Sequence, residues 1–586
     1  MIRSTLGLDY TQKQQRRFLY PVANGKVKSP ESAAQNIQEH WMRWMWNAIA
    51  TYNLEIGKHR GDAMIGIELN RQDNNFTSAQ RYELSILNTN YMWPGAGTGR
   101  QLVNGGGDGF SLLSYFGKVN YNYADRYLAS VTIRRDGSSR FGKNNRYGTF
   151  PSVSLGWRLT QEDFMKSTSK WLDDFKIRYS WGQTGNQEIS NVARYTLYKA
   201  VTSTTLWSGD APAGSAYDIA GTNGGSILNS GYVRTQRGNE DIKWETTTQH
   251  NIGFDFGLLG NEVYGSFDWF HKKTTDILLP MDGIAAMGEG AKQWINAGEV
   301  KNVGWEVTAG YRHKTSYGLS WDINGNISRY KNEITKLPAT VAANGNFGGN
   351  SKFPIIGHPM HSEVGFVANG IFRSQEDIDN HAIQEGAGIG RIRYADLNGD
   401  GRITEDDQTW IFDPTPKFSW GLNIYLQYKD WDFTMFWQGV QSVDANTHAF
   451  KSQTDFWSNT NINMPNLNKG DRVLDAWSPS NPGSGIPALT RSDTNREGRM
   501  STYYIENGSF AKLRTVQLGY NLPKTFVEKL MLERVRLYVS AQNLLTIKSK
   551  KFSGVDPEAF IGAGEARSGF DYPIPLNVTF GLNVSF

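Results

Sequence analysis

The final segment of the chain limits its fold more than any other. Leu576, Val578, Phe580, Leu582, Val584 and Phe586 alternate strictly with Asn577, Thr579, Gly581, Asn583 and Ser585. A period of two, held to a terminal aromatic, requires a strand with one apolar face and one small polar face. Membrane barrels and soluble sandwiches both use such strands, so the alternation alone leaves both open.

The same pattern recurs upstream as hairpins. Ala48, Ala50, Tyr52, Leu54 and Ile56 lead through Gly61 to Ala63, Ile65, Ile67 and Leu69. Leu113 to Tyr123 turns at Ala124-Asp125 into Tyr127 to Ile133, Ile252 to Leu258 turns at Gly260-Asn261 into Val263 to Trp269, and Trp420 to Tyr428 turns at Lys429-Asp430 into Phe433 to Trp437. With the single strands between them, the chain holds roughly 16 to 18 strands, and turns this short join antiparallel neighbours. Long connections rich in Gly, Asn, Ser and Thr are expected around 72–110, 184–242, 329–357, 441–500 and 546–572. Short turns on one rim, long loops on the other and aromatics at strand ends describe a transmembrane barrel. A propeller would instead repeat every ~40 to 50 residues.

Composition removes other classes. The 586 residues carry Lys+Arg 61 against Asp+Glu 57, a net charge of +4, which is too balanced for a nucleic-acid binder driven by phosphate neutralisation. Mean hydropathy is −0.52 and no apolar run approaches the ~20 residues of a membrane helix. The absence of cysteine excludes disulfides, thiolate metal sites and cysteine nucleophiles. The first ten residues lack the apolar core of a secretory signal.

Several strings resemble the SusC/RagA family of TonB-linked outer-membrane transporters. They are Arg134-Arg135-Asp136-Gly137-Ser138-Ser139-Arg140-Phe141-Gly142, running on through Tyr147 to Arg158; Lys176 to Gln187; Trp244-Glu245-Thr246-Thr247; Asn296 to Glu306; Gly357-His358-Pro359; Asn507 to Arg514; and Ala541-Gln542-Asn543-Leu544. The resemblance implies an all-β transmembrane antiparallel barrel of about 22 strands in the complete protein. It also implies a plug domain, a SusD-like surface lipoprotein as lid, coupling to TonB through the plug, and the outer membrane of a Gram-negative, Bacteroidota-like cell. Residues 1–586 read as the barrel portion with long extracellular loops. Signal peptide, TonB box and plug are not recognisable, so the chain is expected to be the C-terminal part of such a transporter, unable to work alone.

The reading of function is a nutrient importer for oligosaccharides or oligopeptides, with outer-membrane lipid around it, no nucleic acid and no enzymatic activity. A plugless porin or a surface adhesin barrel is the alternative. Asp396-Leu397-Asn398-Gly399-Asp400-Gly401-Arg402 to Asp407 has the ligand order of a calcium loop: oxygen side chains at positions 1, 3 and 5, Gly at 6 and an acid at 12. Asp396, Asn398, Asp400, the Arg402 carbonyl and Asp407 are the expected ligands of a structural calcium or magnesium ion; no organic cofactor is expected. Trp207, Tyr217, Trp457 and Trp477, in long loops, are candidates for stacking on ligand. His358 and His361 lack a third ligand nearby, and Asp173-Asp174 fits a turn better than a glycosidase pair, whose carboxyls stand ~5 to 9 Å apart. Gly95–Gly99 and Gly386–Gly390 lack the Lys-Ser/Thr ending of a phosphate loop.

Overall fold

The computed structural model describes the chain apart from residues 25–26, 30, 202–230, 284–290, 457–469, 492 and 561–573. Sixteen antiparallel strands dominate the described residues. No helix among these residues is long and apolar enough to cross a membrane, which bears only on helical spans. The chain divides into a unit of Met1–Leu155, Ser180–Thr248 and Thr274–Ala297, and a unit of Gly156–Tyr179, Gln249–Lys273 and Gly298–Phe586.

In the first unit, β1 (Ile2–Leu19), β2 (Ala33–Ile56), β3 (His59–Tyr82), β4 (Gln101–Tyr123) and β5 (Tyr127–Ser138) pair in succession. The β2–β3 link is Gly57-Lys58, with Gly57 at φ +58°, a conformation suited to the tightest hairpin turns. Register decides which side chains share a face. Ala50, Ile65, Gly117 and Ile133 form one cross-strand row, and Tyr52, Ala63, Val119 and Val131 the next. Ile65, Val119, Val131 and Ile133 are all at least half exposed.

The opposite face is polar and internally bonded. Asn120 donates to both oxygens of Asp62 at 2.9 and 3.1 Å and accepts from Ser130 at 2.7 Å. Arg134 donates to Asp136 at 2.7 Å, Ser114 at 2.9 Å and Glu68 at 3.3 Å. The apolar rows run from Ile56 up to Trp46, about 33 Å along the strand at ~3.3 Å per residue. With the usual ~40° tilt this spans the ~25 Å apolar band of an outer-membrane barrel.

One expectation is corrected here. The segment 72–110 is not a single long loop: β3 runs on to Tyr82 and β4 begins at Gln101, leaving 83–100 as the connection. Beyond the apolar rows both faces meet water, so polar residues and glycines occupy both and the alternation that signals a strand disappears. The same unit carries a four-stranded sheet of Leu197–Val201, Gly231–Arg237, Lys292–Asn296 and Leu278–Met281, inside the expected loop 184–242 and beyond it.

Four more of the sixteen strands are β6 (Tyr147–Arg158), β7 (Leu172–Asn186), β8 (Glu245–Leu258) and β9 (Val263–Thr275). The second unit contains β10 (Glu299–Lys314), β11 (Leu319–Lys336), β12 (Phe418–Tyr428), β13 (Trp431–Gln441), β14 (Phe510–Asn521), β15 (Arg534–Lys548) and β16 (Asn577–Ser585), again paired in order. Tyr311, Ile323, Ile424, Met435, Val516, Ala541 and Val578 make one apolar row across all seven strands. At its turn end Leu319 lies in a row with three aromatics, Tyr428, Trp431 and Tyr520. On the other face Asp432 receives Arg536 at 2.5 Å, and Tyr264 donates to Asp322 at 2.7 Å.

Candidate functional site

The long connections fold onto the ends of the strands, and the strings that resemble the transporter family do the anchoring. In the first unit Arg134 and Asp136 point to the polar face, while Arg135 points the other way and lies over Tyr147 at 5.1 Å. A side chain at Gly137 would collide with that Tyr147 ring, and one at Gly142 with the Glu240 carbonyl. Arg140 is buried; it donates to Asn191 at 2.7 Å, the Gln187 carbonyl at 2.9 Å and Glu188 at 3.1 Å, with its guanidinium 4.3 Å from Phe110. Phe141, Phe150, Ile189, Ala193, Ile242, Trp244 and Leu278 form the core beneath. Glu245 accepts from Asn186 and from the Leu278 N–H, both at 3.2 Å, and Asn296 bonds both backbone groups of Lys243 at 2.8 Å.

The second unit's loops are fixed by buried ions. Arg391 pairs with Glu497, whose side chain is 1% exposed, and Glu497 also accepts the Ile392 N–H at 2.8 Å. Burial pushes the Glu497 carboxyl up from its ordinary value against the pull of Arg391. Lys512, within Asn507 to Arg514, is 1% exposed and donates to both oxygens of Asp556 at 2.7 Å and to Glu558 at 2.5 Å. Arg514 adds Gln438 at 2.9 Å and Asn543 at 3.3 Å. Asp455, fully buried, takes Arg472 at 2.5 and 2.9 Å and the Tyr503 hydroxyl at 2.6 Å. Sequence reasoning passed over these pairs. The one available signal was a lysine and an arginine alternating with apolar residues inside a strand.

Glu363 is a partly buried carboxyl with no paired cation among the described residues: Asn446 donates to it at 3.1 Å, and desolvation raises its pKa from 4.5 to about 6. A raised folded pKa means that the contribution is fully present below pH 4.5 and lost as pH rises through about 6. The loss is about 2 kcal/mol. Glu363→Gln keeps the amide contact, so unfolding midpoints of the variant are expected to lack this pH dependence and to exceed the native value at pH 7.5. Equal midpoints at pH 7.5 would refute the assignment.

The calcium-type loop wraps backbone N–H groups around its own acids. Asp396 accepts the Gly399 N–H at 2.7 Å and the Gly401 N–H at 2.8 Å, the Asn398 side-chain Oδ1 accepts the Asp400 N–H at 2.9 Å, and the Asp400 carboxylate accepts the Arg402 N–H at 2.8 Å. Asp407, fully buried, accepts Leu397 at 2.8 Å and Thr404 at 2.7 Å. The donor set is all oxygen, and each N–H bond leaves its acceptor oxygen a second lone pair, which suits a hard cation. Among the described residues no group of three or more His, Asp or Glu side chains is gathered closely enough to hold a metal.

Of the four loop aromatics, Trp207, Tyr217 and Trp457 lie outside the described residues. Trp477 is half-buried beside Gly390 and Ala488, packed within its loop rather than presented as a free ring. His358 stacks on Trp410 at 3.8 Å, and Asp173 accepts the Asn261 N–H at 2.8 Å as a turn anchor.

Residues 3–544 match the family described as TonB dependent receptor-like, beta-barrel. The chain belongs to this family. TonB-dependent receptor P3 of Formosa agariphila is 34% identical over 490 residues, covering 81% of this chain and 45% of that protein. TonB-dependent receptor SusC of Bacteroides thetaiotaomicron is 32% identical over 489 residues, covering 81% of this chain and 44% of that protein. The RagAB peptide transporter structure has the same fold, with a TM-score of 0.80 at 23% identity, covering 100% of this chain and 60% of that one. The chain spans about half the length of the curated relatives it matches. It is thus an outer-membrane TonB-dependent receptor barrel sequence of SusC/RagA type, and the resemblance read from its motifs holds.

Proposed function

We propose that this chain forms the wall and outer loops of a TonB-dependent importer of oligosaccharides or oligopeptides, working with a SusD-like lipoprotein lid. The observation that carries the reading is the division of labour in the family's own motifs. Arg140, Lys512 and Arg514 are used in fixing connections onto strand ends, as a receptor needs if ligand is captured between loops and a lid. The chain's chemistry is positioning: rigid loops hold ligand, and a polar inner face lets it pass.

The test is uptake by cells carrying the full-length protein, with and without TonB. Loss of uptake without TonB, together with co-purification of a surface lipoprotein, is expected. TonB-independent permeation of small solutes would favour a passive porin.

The Asp396–Asp407 loop is proposed to bind calcium or magnesium through Asp396, Asn398, Asp400, the Arg402 carbonyl and Asp407, bracing its connection. Terbium luminescence of the full-length protein is expected to rise on binding and to be displaced by calcium. Asp396→Asn with Asp400→Asn should abolish it; an unchanged signal would sink the site. Trp207, Tyr217 and Trp457 remain proposed ligand contacts, each tested by uptake after replacement with Ala; Trp477, packed within its loop against Gly390, is expected to leave uptake unchanged when replaced.

A further inference from the structure

The apolar face of the first unit carries a groove that the import reading does not use. Two neighbouring cross-strand rows form it: Ala48, Ile67, Tyr115 and Arg135, and Ala50, Ile65, Gly117 and Ile133. Ala48, Ala50 and Gly117 offer little or no side chain among the isoleucines, and the surface sinks there into a groove of about 720 Å³. That is within the ~300 to 1,000 Å³ of small-ligand sites. Ile65 and Ile133 stand more than half exposed along it, so the groove suits an apolar chain rather than water.

Arg135 also lines this groove and is exposed, although a cation facing lipid is unfavourable unless an anion meets it. The neighbouring carboxylates do not serve it: Glu68 and Asp136 lie on the opposite face and both pair with Arg134, at 3.3 and 2.7 Å. Its guanidinium lies 5.1 Å from the Tyr147 ring, a contact that leaves the charge uncancelled. Two rows further from the short turns, Arg71 pairs with Asp73 at 2.8 Å. One outward cation of this wall therefore has its own anion, and Arg135 has none among the described residues. Tyr115, directly across from Arg135 and half exposed, adds a hydroxyl donor.

Height along the strands selects the leaflet. From Ile56, the last residue of β2, to Ala48 is about 26 Å along the strand at ~3.3 Å per residue. At ~40° of tilt this is about 20 Å up the ~25 Å apolar band, towards the rim that carries the long connection 83–100. We propose that the groove holds an acyl chain of a phosphate-bearing lipid of the outer leaflet, whose phosphate sits on Arg135 and Tyr115. A guanidinium takes phosphate oxygens through paired N–H donors, and the headgroup supplies the anion that the wall lacks. Free phosphate would leave the apolar groove empty, and a lipid without phosphate would leave Arg135 unpaired. The inference rests on this face meeting lipid and is independent of what is imported.

The test uses the full-length protein purified from outer membrane in mild detergent, with bound lipid counted by native mass spectrometry as diphosphoryl lipid A or its dephosphorylated form is added. Wild type is expected to retain the diphosphoryl form more firmly. Arg135→Gln should weaken that retention about tenfold, and Arg135→Lys should weaken it less. Gly117→Leu should weaken it by filling the groove. A side chain at Gly117 meets only ordinary contacts, the nearest at 3.6 Å, so that variant should still fold. Arg71→Gln, which removes a cation already paired, should change nothing. Equal retention of the two lipids, retention indifferent to Arg135→Gln and Gly117→Leu, or equal losses in Arg71→Gln and Arg135→Gln would each overturn the proposal. So would a dimer of the protein that Arg135→Gln dissociates, which would give the groove to a second copy of the chain.

Discussion

Arg391→Met is expected to loosen the second unit's loops by about 3–5 kcal/mol, the range for removing one partner of a buried ion pair. The side chains left behind, Glu497 and Asp493, are 1% and 3% exposed, so water cannot replace the guanidinium. Local hydrogen exchange is the measurement, because the amides of Ile392 and Tyr394 donate into this network, to Glu497 at 2.8 Å and Gln384 at 2.9 Å. Their protection should fall roughly a hundredfold or more, since each ~1.4 kcal/mol is a factor of ten. Burial already raises the Glu497 pKa, so without Arg391 the carboxyl should take up a proton more readily. Its raised folded pKa favours the fold at low pH and is lost as pH rises, so the variant's deficit should shrink on acidification. Unchanged protection at neutral pH would show that the pair does not hold the loops.

The second large effect belongs to Trp244→Ala in the first unit. The ring is 7% exposed, packs 5.1 Å from Phe141 and 5.5 Å from Phe150, and its Nε1 donates to the Arg146 carbonyl at 3.0 Å. Truncating a buried ring of this size costs about 3–5 kcal/mol through lost burial and the cavity left behind. The segment around Ile189 and Ala193 packs on this ring's cluster, so it should become a site of protease nicking in otherwise folded protein. Trp244→Phe should restore most of the resistance. Equal proteolysis of native and Ala forms would contradict the anchoring role.

How much of this was legible depended on where each residue sits. Within the apolar band, Ile424 and its neighbours must alternate, because lipid lies on one side and polar groups on the other, and that periodicity could be read directly. Above the band the constraint disappears: Asn74, Asn75, Gly106 and Gly107 are strand residues whose composition reads as loop. The ion pairs were hidden for another reason. Lys512 and Asp556 are 44 residues apart, and nothing local in either segment announces the other. The Arg134 to Gly142 string was legible as a family likeness before its physical reason was visible. Only the structure shows that Gly137 makes room for Tyr147 and Gly142 for the Glu240 carbonyl, while Arg140 holds residues 187–191. The loop aromatics were chosen by residue type, and type cannot distinguish a presented ring from one packed in a loop, as Trp477 is.

The account's central claim is that one face of this strand meander meets lipid and the other meets water. The chain contains no cysteine, so spin labels can be placed singly in it. Ile424 and Val516 lie on the apolar row, while Asn423 and Gln517 lie on the opposite face. In outer membranes carrying the full-length protein, labels at Ile424 and Val516 should collide with dissolved oxygen and be shielded from a water-soluble nickel chelate. Labels at Asn423 and Gln517 should show the reverse. Equal access of the nickel chelate to all four positions would contradict a membrane-spanning sheet.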